Sequence, residues 1–193
     1  MELICLESTK KGEIKDFLHR LTTLDTRTDQ TEGFLLSAQG KIRAFFSVMA
    51  WSDLKVELLS HPHWSLAPLL ESLKFQESIT LTSTPIQHEE DNFTRIAAHK
   101  LGIQEMIHAA NPLEIDCFIP EHKGCYPGQE VIERIRSGGS PARRLISISG
   151  IEPMPQPGDP YLSNGEKIGT VTSSCQKNGD WIGLALVRKT HLQ

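Results

Sequence analysis

Eight consecutive residues, Lys123-Gly124-Cys125-Tyr126-Pro127-Gly128-Gln129-Glu130, set a thiol among two glycines, a proline and a lysine. The thiolate is the nucleophilic and metal-binding form of cysteine, and nearby cations or a helix N-terminus favour it. Gly124, Pro127 and Gly128 predict a tight turn with close backbone approach. Apolar residues at helical spacing follow in residues 131–135, which places Cys125 just before a helix start. Lys123 and His122 add positive charge beside it, and Glu130 opposes them. The spacing predicts a partly exposed Cys125, more reactive than Cys5, Cys117 and Cys175. Composition alone also fits a buried cysteine in a structural turn.

Other residues could do chemistry by type. Arg134, Arg136, Arg143 and Arg144 occupy one window without an acid. Guanidinium groups suit carboxylates and phosphates, so an anionic ligand tail or an RNA phosphate is one reading; a solvated helix face and strand edge is the other. His61 and His63 flank a proline, and His88, Glu89, Glu90 and Asp91 cluster in a polar connector. Both groups have metal-ligand residue types without ligand spacing, and no metal site is expected. Trp51, Trp64 and Trp181 read as packing residues.

These residues need a scaffold. With 193 residues, 38% hydrophobic and 23% charged, the chain is long enough to bury a core and is not of disordered composition. The formal net charge of -4 argues against direct nucleic-acid binding and membrane-surface binding. No apolar run approaches the roughly 20 residues of a membrane helix, and the N-terminus lacks a secretory pattern. Four cysteines without a Cys-x-x-Cys pair fit a reducing compartment, so a cytoplasmic protein is expected.

Residues 2–7 read as a strand and residues 11–24 as a helix, with Ile14, Phe17, Leu18, Leu21 and Leu24 at helical spacing. Strands are expected at Phe34-Leu35-Leu36, at Phe45-Phe46-Ser47-Val48, and over residues 55–59 and 79–82; helices over 65–73 and 94–101. After Gly150, prolines and glycines punctuate short β-rich pieces, clearest at 168–172 and 181–187. The expected class is α+β: an antiparallel or mixed sheet with helices on one face, then a small C-terminal β-barrel-like unit. The expected domains are 1–137 and 141–193, parted at Ser137-Gly138-Gly139-Ser140-Pro141.

The Lys-Gly-Cys-Tyr-x-Gly-Gln-Glu run resembles the signature of the YgfZ proteins, a branch of the folate-binding aminomethyltransferase family related to the glycine-cleavage T-protein. Arg95-Ile96-Ala97-Ala98 is similar to a short element upstream of that signature. Arg143-Arg144-Leu145, Gly169-Thr170-Val171-Thr172-Ser173 and Ala185-Leu186-Val187 resemble the C-terminal barrel. Phe17-Leu18 to Asp25, and Gln39-Gly40-Lys41-Ile42, resemble the N-terminal subdomain.

The resemblance implies binding of tetrahydrofolate or a derivative, by Lys123, Gly124, Tyr126, Gly128, Gln129, Glu130, Glu114, Arg143 and Arg144, with Cys125 as the candidate catalytic residue. Glu114 matches the amino-pyrimidine edge of a pterin; it also fits a surface loop acid. The resemblance further implies support of iron–sulfur proteins and of dependent tRNA modifications. Two departures stand out. Only about ten residues separate the parts that flank a further α+β subdomain in relatives, so the chain resembles a shortened form. Arg43, Ala44 and Phe45 stand where the T-protein presents acids, so aminomethyl transfer is not expected. The competing readings are a folate-dependent one-carbon transferase or thiol enzyme, and an interaction module that kept only the Cys125 loop.

Overall fold

The structure is a computed structural model that describes residues 1–87, 91–177 and 179–192. His88, Glu89 and Glu90 of the acidic connector lie outside the described residues. The chain forms two compact units that interleave along the sequence: Met1–His88 with Ile119–Val131, and Glu89–Phe118 with Ile132–Gln193. The boundary read at 137–141 falls inside the second of these.

The first unit is built on a five-stranded antiparallel sheet of order β2-β3-β4-β1-β5. Its strands are β1 (Glu2–Glu7), β2 (Glu32–Leu36), β3 (Ile42–Trp51), β4 (Lys55–Ser60) and β5 (Thr80–Pro85). Period-two alternation puts Ile4 and Leu6 of β1, Ala44 and Phe46 of β3, and Val56 and Leu58 of β4 on one face, all fully buried. Helix α1 (Glu13–Leu21) lays Ile14, Phe17, Leu18 and Leu21 onto that face, and α2 (Leu66–Leu73) adds Leu66 and Leu70. Each fully buried side chain of this size contributes roughly 1.5–3 kcal/mol. Helix α1 is shorter than the expected 11–24. Thr22 turns extended after Leu21, and its hydroxyl donates to the Leu18 carbonyl at 2.8 Å. Acids in the first turn of α1 and His19 and Arg20 in the last complement the helix dipole.

The second unit holds α3 (Asn92–Ala97), α4 (Ile103–His108) and a four-stranded antiparallel sheet of order β6-β9-β8-β7. Its strands are β6 (Arg143–Ile151), β7 (Pro160–Ser163), β8 (Glu166–Lys177) and β9 (Asp180–Arg188). The Asp91 carboxylate caps α3 by accepting from the Phe93 and Thr94 amides at 3.1 and 3.3 Å. The helix expected over 94–101 ends early because His99 takes a left-handed φ of 53°. Ile148, Ile168, Val171, Trp181, Ala185 and Val187 form the core of the four-stranded sheet. Trp181 lies over Gly150, its partner across β6 and β9, where a β-carbon would come within 2.7 Å of the indole. Helix α5 (Gln129–Ser137) carries the chain from the first unit into the second. The architecture is thus the expected α+β class followed by a barrel-like C-terminal sheet. Among the described residues no helix is long and apolar enough to cross a membrane.

Candidate functional site

The segment from Lys123 to Gly128 runs through a bend and a turn, without helix or strand, up to the start of α5 at Gln129. Its residues alternate sharply in exposure. Lys123 is fully buried and Tyr126 is 7% exposed, whereas Cys125 is exposed. The other three cysteines are half-buried. Glu130 is exposed and Gln129 half-buried. The turn expected from the glycines is present: φ is 105° at Gly124 and 81° at Gly128, both in the region that favours glycine.

Gly128 meets a second requirement. A β-carbon there would come within 2.5 Å of the Ser37 carbonyl and 2.9 Å of Gly40 Cα. Gly40, with φ of 72°, turns the chain between β2 and β3, and Val131 packs against it. The two glycines let this turn and the start of α5 touch backbone to backbone.

The upstream end is fastened by charge. Asp25 and Arg27 form a two-pronged pair, with Arg27 Nε and Nη2 donating to the two carboxylate oxygens at 2.9 Å each. The same Nη2 donates to the carbonyls of His122 and Lys123, both at 2.9 Å. Arg27 thereby ties the loop backbone to the segment after α1. Its guanidinium holds the Asp25 carboxyl down to about 2. The Lys123 ammonium donates to the His19 carbonyl and lies 5.0 Å from the centre of the Tyr126 ring. Burial pushes Lys123 down to about 8, against the pull of Asp25 and Cys125. Burial and the Lys123 charge likewise hold the His19 imidazole below its ordinary value. The outcome is a loop pinned on both sides of an exposed thiol.

The remaining candidates lie elsewhere in the fold. Glu114 and Arg143 belong to the second unit and bind each other two-pronged, at 3.1 and 2.7 Å. Glu114 also accepts from the Ala110 amide at 2.7 Å, and Arg143 donates to the His108 carbonyl at 3.1 Å. Arg136 pairs with Glu133, while Arg134 and Arg144 are exposed. The arginine window is thus half ion-paired within its own unit. His61 caps a single turn by accepting from the His63 amide at 3.1 Å. At the positions after Gly40 where acids would stand, Arg43 is exposed, Ala44 is buried and Phe45 packs tilted against Phe34, with ring centres 5.0 Å apart. Sequence reasoning missed the Asp25–Arg27 clamp. Its one signal was an acid two residues before an arginine, next to a stretch already set apart as similar to the N-terminal subdomain.

Residues 143–193 match the family described as CAF17, C-terminal beta-barrel domain. The crystal structure of glycine cleavage system aminomethyltransferase T from Bartonella henselae superposes with a TM-score of 0.72 at 12% identity, over 98% of this chain and 76% of that one. No curated protein matches the sequence. The chain therefore has the fold of an aminomethyltransferase T, ending in a segment that matches a CAF17-type C-terminal β-barrel domain.

Proposed function

We propose that this chain is a folate-binding accessory protein of the YgfZ type, serving iron–sulfur protein maintenance and dependent tRNA modification in the cytoplasm, with Cys125 as its working group. The observation that carries the reading is the exposed thiol on a loop whose neighbours are buried and bonded. A loop held this rigidly presents its thiol in one position, which preorganises an encounter with a small electrophile, a metal or a partner protein. The aminomethyltransferase T fold supports the folate part of the reading.

In this reading the candidate residues divide the labour by their burial. Lys123, Tyr126 and Gly128 face inward and position the loop; Gly124, Gln129 and Glu130 remain on its outer side with Cys125. In the second unit Arg143 and Glu114 are bonded to each other, which leaves neither open to a ligand, while Arg144 is exposed. Ala44 and Phe45 offer no carboxylate for proton transfer, so the folate would be bound rather than turned over.

The test is a calorimetric titration with tetrahydrofolate and its formyl and methylene forms, on the wild type and Cys125→Ser. Saturable binding below millimolar, retained in Cys125→Ser, is expected. The variant should lose function in a cell-based assay of iron–sulfur enzyme activity. Absence of binding at millimolar ligand would leave an interaction module built on the Cys125 loop as the better reading. Folate-dependent ammonia release from an aminomethyl-lipoyl carrier would replace it with a transferase.

A further inference from the structure

We infer that the first unit carries a second small-molecule site, on β3 beside α1, that takes a planar aromatic anion. A cleft of about 440 Å³ opens there, within the range that holds small ligands. Its apolar surface comes from Leu24, Val48 and Trp51. The pairing of β3 with β4 slips between Val48 and Ala50, a bulge of the kind that re-aims side chains at sites. Past it, Trp51 lines the cleft half-buried, with its ring available as an aromatic platform.

Two cations complete the site. Lys15 places its ammonium 5.5 Å from the centre of the Trp51 ring. Among the described residues this ammonium makes no hydrogen bond or ion pair; Asp53, within its electrostatic reach, is already paired to Lys11 at 2.8 Å. Arg27 also lines the cleft. Its Nε and Nη2 hold Asp25 and the loop carbonyls, which among the described residues leaves the two N–H groups of Nη1 for a ligand. Asp29 and three threonines on the lining are polar neighbours, and Asp29 is the acid that a bound anion must avoid. An indole with two cations of unsatisfied hydrogen-bonding capacity suits a ligand with a flat apolar body and one carboxylate or phosphate end. This site stands whether or not Cys125 works as proposed.

The probe is 2-naphthoate, compared with its neutral counterpart 2-naphthamide, followed by two-dimensional NMR of the full chain. Saturable 2-naphthoate binding is expected to shift the Trp51 indole resonance and to exceed 2-naphthamide binding by about tenfold, the size of one desolvated charge contact. Lys15→Gln should abolish that preference and Lys15→Arg should restore it, with thermal midpoints unchanged. Equal binding of acid and amide, shifts that map away from Trp51, an unaffected Lys15→Gln protein, or no saturation up to about 10 mM, on the weak side of the affinity scale, would each overturn the site.

Discussion

Arg95 and Lys123 are buried cations, one in each unit, and their surroundings differ. Arg95 is fully networked. It donates to Glu105 at 2.8 Å, to the Lys100 carbonyl at 3.1 Å and to the Ser173 hydroxyl at 3.1 Å. Glu105, itself fully buried, also accepts from Ser173 and from the Gly102 amide at 2.7 Å. Gly102 is glycine because a β-carbon there would press within 2.8 Å of the guanidinium. Lys123 has thinner surroundings: the His19 carbonyl, an aromatic face, and an acid already clamped by Arg27. One cation joins α3, α4 and β8 as a structural rivet. The other is desolvated beneath the loop that presents Cys125, the kind of perturbed group that gathers at functional sites.

The largest effect that could break this contrast is on Glu105. Glu105→Ala leaves the Arg95 guanidinium buried without its carboxylate, which costs about 3–5 kcal/mol. Denaturant unfolding should show that loss, and the Arg95→Ala/Glu105→Ala pair should be less destabilised than Glu105→Ala alone. A loss below ~1 kcal/mol, the range of exposed ion pairs, would mean that the network is no rivet.

Next in size is the lysine. Lys123 titrates at about 8 in the fold, below its ordinary 10.5, so between those values the unfolded chain binds more protons than the folded one. Stability therefore rises as pH climbs from 8 to 10.5, where the cost of the buried charge is relieved. The gain is about 3 kcal/mol at most, from roughly 1.4 kcal/mol for each tenfold change in proton affinity. Lys123→Met should flatten that rise relative to wild type in urea unfolding followed across this pH window. Parallel pH curves for the two proteins would show that the ammonium is well solvated and that the contrast with Arg95 is false.

How far this could be read in the chain depends on the range of the contacts. The amphipathic spacing of Ile14, Phe17, Leu18 and Leu21 and the alternation in β1 and β4 are local, so α1 and the sheet strands were legible. So was the turn at Gly124 and Gly128, because glycine reports its own backbone need. What escaped was set at long range. Arg95 finds Glu105 and Ser173 across 10 and 78 residues, and Arg27 finds the His122 carbonyl across 95. No periodicity marks such pairs. Helix α4 escaped because Gly102 before it and its short span blur the helical pattern, although Glu105 back-bonding to the Gly102 amide is what starts it. The Glu114–Arg143 pair escaped for the reason that misleads in general: each residue has a chemistry that suits a ligand, and only the fold shows that they serve one another.

The smallest expected effect, a difference in rate rather than in stability, tests what the pinned loop is for. Cys125 is exposed, whereas Cys5, Cys117 and Cys175 are half-buried. Burial pushes the thiols of Cys5 and Cys175 up, which lowers the thiolate fraction they offer at neutral pH. Iodoacetamide labelling at pH 7, mapped by mass spectrometry, should therefore modify Cys125 about tenfold faster than Cys5 or Cys175, since alkylation follows exposed thiolate. Asp25→Asn sharpens the point, because it weakens the Arg27 clamp without touching the sulfur. If the loop is held as a presenting device, the variant should broaden the labelling behaviour of Cys125 and admit proteolysis near Lys123, while the labelling of Cys175 in the other unit stays as it was. If Cys125 labels no faster than the half-buried cysteines, the exposed position gives no reactivity, and the rigid loop serves the contact of Gly128 with the β2–β3 turn alone.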